Sequence, residues 1–71
     1  MDFRREEQQR IDVVLSVLEP REAELLLLRS HGFSYNELAS ALDLKTASIG
    51  TFLSRAQQAF RKEYMRRYER K

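Results

Sequence analysis

Winding Thr46–Lys62 at about 100° per residue splits the segment into two faces. Ile49, Leu53, Ala56 and Phe60 fall on one stripe. Ser48, Thr51, Arg55, Gln58 and Lys62 lie opposite. This two-sided pattern predicts a helix that buries one face and leaves hydroxyls, an amide and cations on the other. Tyr64 and Tyr68 continue the spacing among Arg61, Arg66, Arg67 and Arg70, so the helix is expected over about 46–67, with 68–71 fraying.

Upstream, the pattern predicts three more helices. Over residues 2–18, Ile11, Val14, Leu15 and Leu18 form an i, i+3, i+4, i+7 stripe with Val17 beside it. The first half of that segment is charge and glutamine with Phe3 alone to pack, so residues 1–9 are expected to fray or to lean on something absent from this chain. Pro20 suits the first turn of a second helix, where its missing N–H costs nothing. Glu22 and Glu24 follow at the end where the helix dipole favours carboxylates. Leu25–Leu28 makes this helix, over about 20–31, apolar on most sides; on that ground it is expected to be the element the others pack around. Arg29 and His31 lie in its last turn, and Gly32 offers a left-handed cap. A capping box, Ser34-Tyr35-Asn36-Glu37, opens a short helix to Leu42, with Phe33 placed to staple against Leu38. Leu38, Ala39 and Leu42 would face inward. Asp43 takes the turn position that calls for positive φ, and Leu44 plugs the corner.

The chain therefore reads as all-α, a single compact four-helix domain over 1–71. Its helices of about 34–42 and 46–67, joined by Asp43-Leu44-Lys45, make a helix-turn-helix whose second helix would read DNA. At 71 residues, such a chain buries only about 60% of its unfolded surface, so its stability margin is thin.

Composition excludes several functions. There is no cysteine and one histidine, His31, which leaves no thiolate metal site and reads as a helix-end or surface residue. No apolar run approaches the roughly 20 residues that span a bilayer, and the first residues carry no apolar signal core, so the expectation is a soluble cytoplasmic protein away from membranes. No glycine-rich phosphate loop, nucleophile–base pair or metal constellation is present. The chain is thus expected to be no enzyme, with no cofactor and no small-molecule substrate. Charge is more informative in its distribution than in its net value of +2. Residues 46–71 hold seven Lys and Arg against Glu63 and Glu69, whereas residues 1–45 hold six against nine carboxylates. The positive charge sits where a DNA-facing helix needs it.

From Leu18 to about Lys62 the sequence resembles region 4 of bacterial sigma factors of the extracytoplasmic-function type. The resemblance rests on Leu18-Glu19-Pro20-Arg21-Glu22, Leu25–Arg29, Gly32-Phe33-Ser34-Tyr35-Asn36-Glu37-Leu38-Ala39, Ala41-Leu42-Asp43-Leu44 and Leu53-Ser54-Arg55-Ala56 with Phe60-Arg61. It implies a domain that docks on the flap of the RNA polymerase β subunit and sets its last helix in the major groove of the promoter minus-35 element. Anti-sigma factors are a further partner class. By position, Thr51 and Arg55 match DNA-contacting residues of the family, and Lys45 and Ser48 match helix-start positions near the phosphates. With Thr46, Gln58 and Lys62 these form the candidate DNA-binding set. The flap-facing surface would come from the second and third helices.

Two residues depart from the family pattern: Gly50 and Phe52 stand where basic residues are common. Three readings follow. Phe52 joins the core while Gly50 permits close backbone approach; or promoter specificity is altered; or DNA binding is weak and the domain mainly contacts polymerase or a regulator. A response-regulator helix-turn-helix domain of the quorum-sensing type shares the Pro-Arg-Glu start, but Ser54-Arg55-Ala56 favours the sigma pattern. The chain has no room for the region that binds core enzyme and melts the minus-10 element. It is therefore expected to be an excised domain or a small split-type protein.

Overall fold

The computed structural model describes residues 3–69, with side chains from residue 5 onward. Four helices follow in order: α1 (Phe3–Val17), α2 (Pro20–Ser30), α3 (Tyr35–Leu42) and α4 (Thr46–Tyr68). No strand occurs among the described residues. Helix bounds agree with the pattern-based expectation to within one or two residues.

The chain's own caps and turns set these limits. The Ser34 hydroxyl accepts from the Glu37 N–H at 3.1 Å, and the Glu37 carboxylate accepts from the Ser34 N–H at 2.8 Å. Both halves of the capping box are closed, which satisfies two otherwise orphan donors. The turns after α2 and after α3 share one hydrogen-bond pattern. After α2, Gly32 adopts φ +93°, its N–H donates to Arg29 O at 3.0 Å, and the Phe33 N–H donates to Leu28 O at 3.3 Å. After α3, Asp43 adopts φ 55°, ψ 48°, its N–H donates to Ser40 O at 3.4 Å, and the Leu44 N–H donates to Ala39 O at 2.8 Å. Each is a Schellman closure, in which the apolar residue after the left-handed position folds back onto the helix it leaves. Phe33 and Leu44 accordingly pack on the core.

That core is Leu25 of α2, Leu38, Ala39 and Leu42 of α3, and Ile49, Leu53 and Ala56 of α4. Leu38, Ile49 and Ala56 are fully buried. This corrects the expectation that α2 is the hub. Of its four consecutive leucines only Leu25 is buried, and Leu27 is 46% exposed. A run of like residues turns through every direction of the helix, so α2 cannot be covered all round by its neighbours. α3 and α4, with three buried residues each, form the centre instead, and α4 touches all three other helices.

α1 is regular from Phe3, and its neighbour is the far end of α4. Arg10 stacks its guanidinium over the Tyr68 ring at 5.2 Å. Val14 is fully buried, apart from the main cluster. Val17, placed beside the buried stripe by periodicity, is 47% exposed. α4 itself stays helical through Tyr68, one residue beyond expectation. Phe60, Tyr64 and Tyr68 form a ladder with ring centroids 6.0 and 5.0 Å apart. Of the segment 68–71 expected to fray, residues 70–71 lie outside the described residues.

The two glycines should respond to alanine with opposite signs. At Gly32 a methyl would meet nothing within 4 Å, so Gly32→Ala isolates the backbone cost of positive φ and should lower unfolding free energy by about 1–2 kcal/mol. At Gly50, in mid-helix, a methyl would make only an ordinary 3.9 Å contact with Tyr35 Cε2. Gly50→Ala should therefore raise stability by about 0.5–1 kcal/mol. Urea titrations of the two variants check both signs.

Acid should act on the α3 cap. The Glu37 carboxyl is held below the ordinary carboxylate range by hydrogen bonds from Ser34, the backbone N–H first and the hydroxyl second. A lowered folded pKa means the unfolded chain takes up the proton more readily. The stabilisation is then complete above the unfolded glutamate pKa and is lost as pH falls through the folded one. Thermal midpoints measured across that window should drop less steeply in Glu37→Gln, which keeps the cap's geometry without the titration.

Candidate nucleic-acid interface

Burial of the Ile49–Leu53–Ala56 stripe against α3 fixes the rotation of α4 about its axis. Everything opposite that stripe must then face outward. Thr51, Arg55, Gln58 and Lys62 are all exposed, as are Lys45 and Thr46 at the helix start; Ser48 is half-buried. The seven sequence-derived residues thus lie at the entrance and along one side of a single unbroken helix. Ser54 is exposed as well. It stands three residues after Thr51 and four before Gln58, so the helical projection that selected its neighbours would also have selected it.

The entrance of α4 differs from that of α3. Lys45 is the N-cap residue, extended at φ −76°, ψ 137°, and its side chain caps nothing. No carboxylate occupies the first turn, and none occurs in α4 before Glu63. The positive end of the helix dipole is therefore reinforced by Lys45 and opposed by no acid of its own helix, a setting that favours an anion. Thr46 is tied inward: its hydroxyl donates to Asn36 Oδ1 at 3.1 Å, linking the starts of α3 and α4.

Side-chain pairing sorts the basic residues. Arg66 donates through Nε and Nη2 to both oxygens of Glu63, each at 2.9 Å, and Arg67 Nε lies 4.0 Å from the same carboxylate. The Arg66 hydrogen bonds hold the Glu63 carboxyl below its ordinary range. These are the ion pairs found among the described residues. Arg55, Lys45 and Lys62 have no carboxylate partner there. Part of the C-terminal positive charge is consequently neutralised within the tail, while the charge on the ridge is not.

Gly50 and Phe52 take positions that decide between the earlier readings only in part. Phe52 does not join the core: it is 39% exposed and lines a shallow hollow with Pro20, Leu25, Leu42, Leu44 and Arg55. Gly50 is exposed too, and no element of this chain approaches its backbone closely enough to require a glycine. Beside it stands Tyr35, 44% exposed, with the Arg29 guanidinium 5.5 Å above its ring. Arg29 also donates through Nη1 to the Phe33 carbonyl at 2.7 Å. Sequence reasoning placed Arg29 only as a helix-end cation, because its contact with Tyr35 crosses the turn and follows no helical spacing.

Separately from the ridge residues, α1, α2 and the end of α4 line a largely apolar groove with Glu7, Arg61 and Glu69 also on its wall. Ile11, Leu15, Leu26, Leu27, Phe60 and Met65 are among its lining residues. No helix of the described residues is long and apolar enough to cross a membrane.

Comparison with known proteins gives these features a context. The family model for sigma-70, region 4, matches residues 8–59, which takes in most of α1, all of α2 and α3, their turns, and α4 as far as Ala59, with Lys62 beyond its end. Neither curated proteins nor solved structures gave a match. A family match over more than half of the chain, on the segment that builds the helix-turn-helix, establishes that the protein belongs to the sigma-70 region 4 family, a non-enzymatic family of domains that bind minus-35 promoter DNA.

Proposed function

We propose that α4 enters the major groove of a promoter minus-35 element and that the same domain docks on RNA polymerase. The observation that carries this reading is the exposed ridge of α4, held outward by the buried Ile49–Leu53–Ala56 stripe. Arg55 is the residue best suited to a base edge: it is exposed, unpaired with any described carboxylate, and its planar fork matches guanine O6 and N7. Thr51 stands one turn toward the helix start, and Ser54 immediately precedes Arg55. Lys45, Thr46 and Ser48 lie at the entrance, where phosphates approach a helix N-terminus. Gln58 and Lys62 extend along the backbone of the duplex. Ridge residues of this kind read bases, while those at the ends set register.

Polymerase would take a different surface. We place it not on α2 and α3, as the resemblance implies, but in the groove between α1, α2 and the end of α4. That groove is lined mainly by apolar surface and shares no residue with the ridge. An anti-sigma factor covering that groove would compete with polymerase rather than with DNA.

Selection of duplexes from a random pool, with and without polymerase, tests the reading and supplies the sequence. Arg55→Ala should then weaken binding to the recovered duplex by about 1–3 kcal/mol. Unchanged affinity would remove Arg55 from the interface. The wild-type affinity should fall steeply as salt rises, in proportion to the phosphates neutralised; a flat salt response would instead support a module that binds protein alone.

A further inference from the structure

We propose that Phe52 is a specificity-determining residue, whose ring contacts the C5-methyl of a thymine beside the base pair that Arg55 engages. The inference rests on the reading that α4 enters the major groove, and adds to it a contact made by neither charge nor hydrogen bond.

Phe52 is the starting point because neither the core nor the ridge accounts for it. It stands where the family commonly carries a basic residue, and it is 39% exposed. It precedes Arg55 by three residues, which puts it about 60° round the helix and about 4.5 Å along it. That rise is close to the step of about 3.4 Å between base pairs, so the two side chains can fall on neighbouring pairs. Phe52 and Arg55 line the same hollow, which makes this flank continuous with the ridge.

The chemistry of the hollow selects the DNA group. Pro20, Leu25, Leu42 and Leu44 share it with Phe52, and these apolar neighbours restrict how the ring can turn. Glu19 and Glu22 line it too, against Arg21, so the hollow does not draw a phosphate as a basic residue at position 52 would. A neutral, apolar group suits it better. The major groove offers one such group, the thymine methyl, and phenylalanine is among the side chains that contact it. The methyl projects from the outer edge of the pyrimidine, toward the backbone of its own strand. A residue on the flank of the ridge arrives there, whereas a residue at the centre of the ridge arrives over the middle of the pair.

The test uses the full chain, fluorescence anisotropy and the duplex recovered by selection, with each thymine replaced in turn by deoxyuridine. That replacement removes the methyl and leaves the base pair intact. Wild type should lose about fourfold in affinity at one such position, as withdrawing one carbon group from apolar contact implies. The position should lie beside the pair whose preference Arg55→Ala relaxes. Phe52→Ala should bind the thymine and deoxyuridine duplexes equally, and Phe52→Leu should keep part of the difference. The comparison on wild type needs no protein variant, so it stands even where Phe52→Ala is too unstable to measure. If wild type is indifferent to every deoxyuridine, or if Phe52→Leu and Phe52→Ala discriminate as fully as wild type does, the methyl contact is wrong. The reading of α4 survives that result as long as Arg55→Ala loses affinity for the same duplex. If wild-type binding to the duplex does not depend on salt, the reading of α4 falls and the methyl contact with it.

Discussion

Packing of one narrow stripe, Ile49, Leu53 and Ala56, against Leu38, Ala39, Leu42 and Leu25 is the constraint on which the rest of this molecule depends. It is small, as a chain of this length requires, and it does two things at once. It removes apolar surface from water, which drives the collapse of α2, α3 and α4. It also fixes how α4 is rotated, because a helix with one buried stripe has one opposite face. The outward ridge is therefore a product of the core, and any change that rolled α4 would bury Arg55 or Thr51 and expose leucine. Ala39 contributes by being small: at 5% exposure between two helices, it sets how closely they cross, and a larger side chain would separate them.

Charge is placed with similar economy. The tail's arginines are numerous, yet Glu63 draws in Arg66 and Arg67, and Arg10 leans on Tyr68. The two Glu63 pairs are local and of small energetic worth. Their effect is to offset part of the tail's charge, whereas Lys45, Arg55 and Lys62 have no carboxylate partner among the described residues. A net charge of +2 would not suggest this. Where the charges lie, and which of them have partners, decides what approaches.

How much could be read in advance follows the range of the interaction involved. The caps were legible because a capping box, an N1 proline and a left-handed glycine each act within a few residues, and the turn at Asp43 was legible for the same reason. The ridge was legible because helical periodicity is strict over three turns. α1 was legible as a helix from its Ile11–Leu18 stripe, but the contact of Arg10 with Tyr68 was not, since no local pattern announces a cation over a distant ring. The leucines of α2 were ambiguous because four identical neighbours look alike until the partners choose among them, and Leu27 was left outside. The site divides likewise. Arg55 and Thr51 follow from spacing, and Ser54 could have. Tyr35 and Arg29 meet across a turn, and the openness of Gly50 depends on what does not approach it; both required coordinates.

The clasp between Arg10 and Tyr68 bears on the order in which the chain assembles. α2, α3 and α4 meet through short turns, so their contacts close small loops and can form early. The clasp joins residues near opposite ends of the chain, and its closure is entropically the most demanding step. It should accordingly form last and open first, making α1 the least protected helix in hydrogen exchange. A helix that detaches while the other three persist would uncover Phe60 and Tyr64 beneath it, so that the groove wall becomes a transiently presented aromatic surface while the ridge keeps its shape.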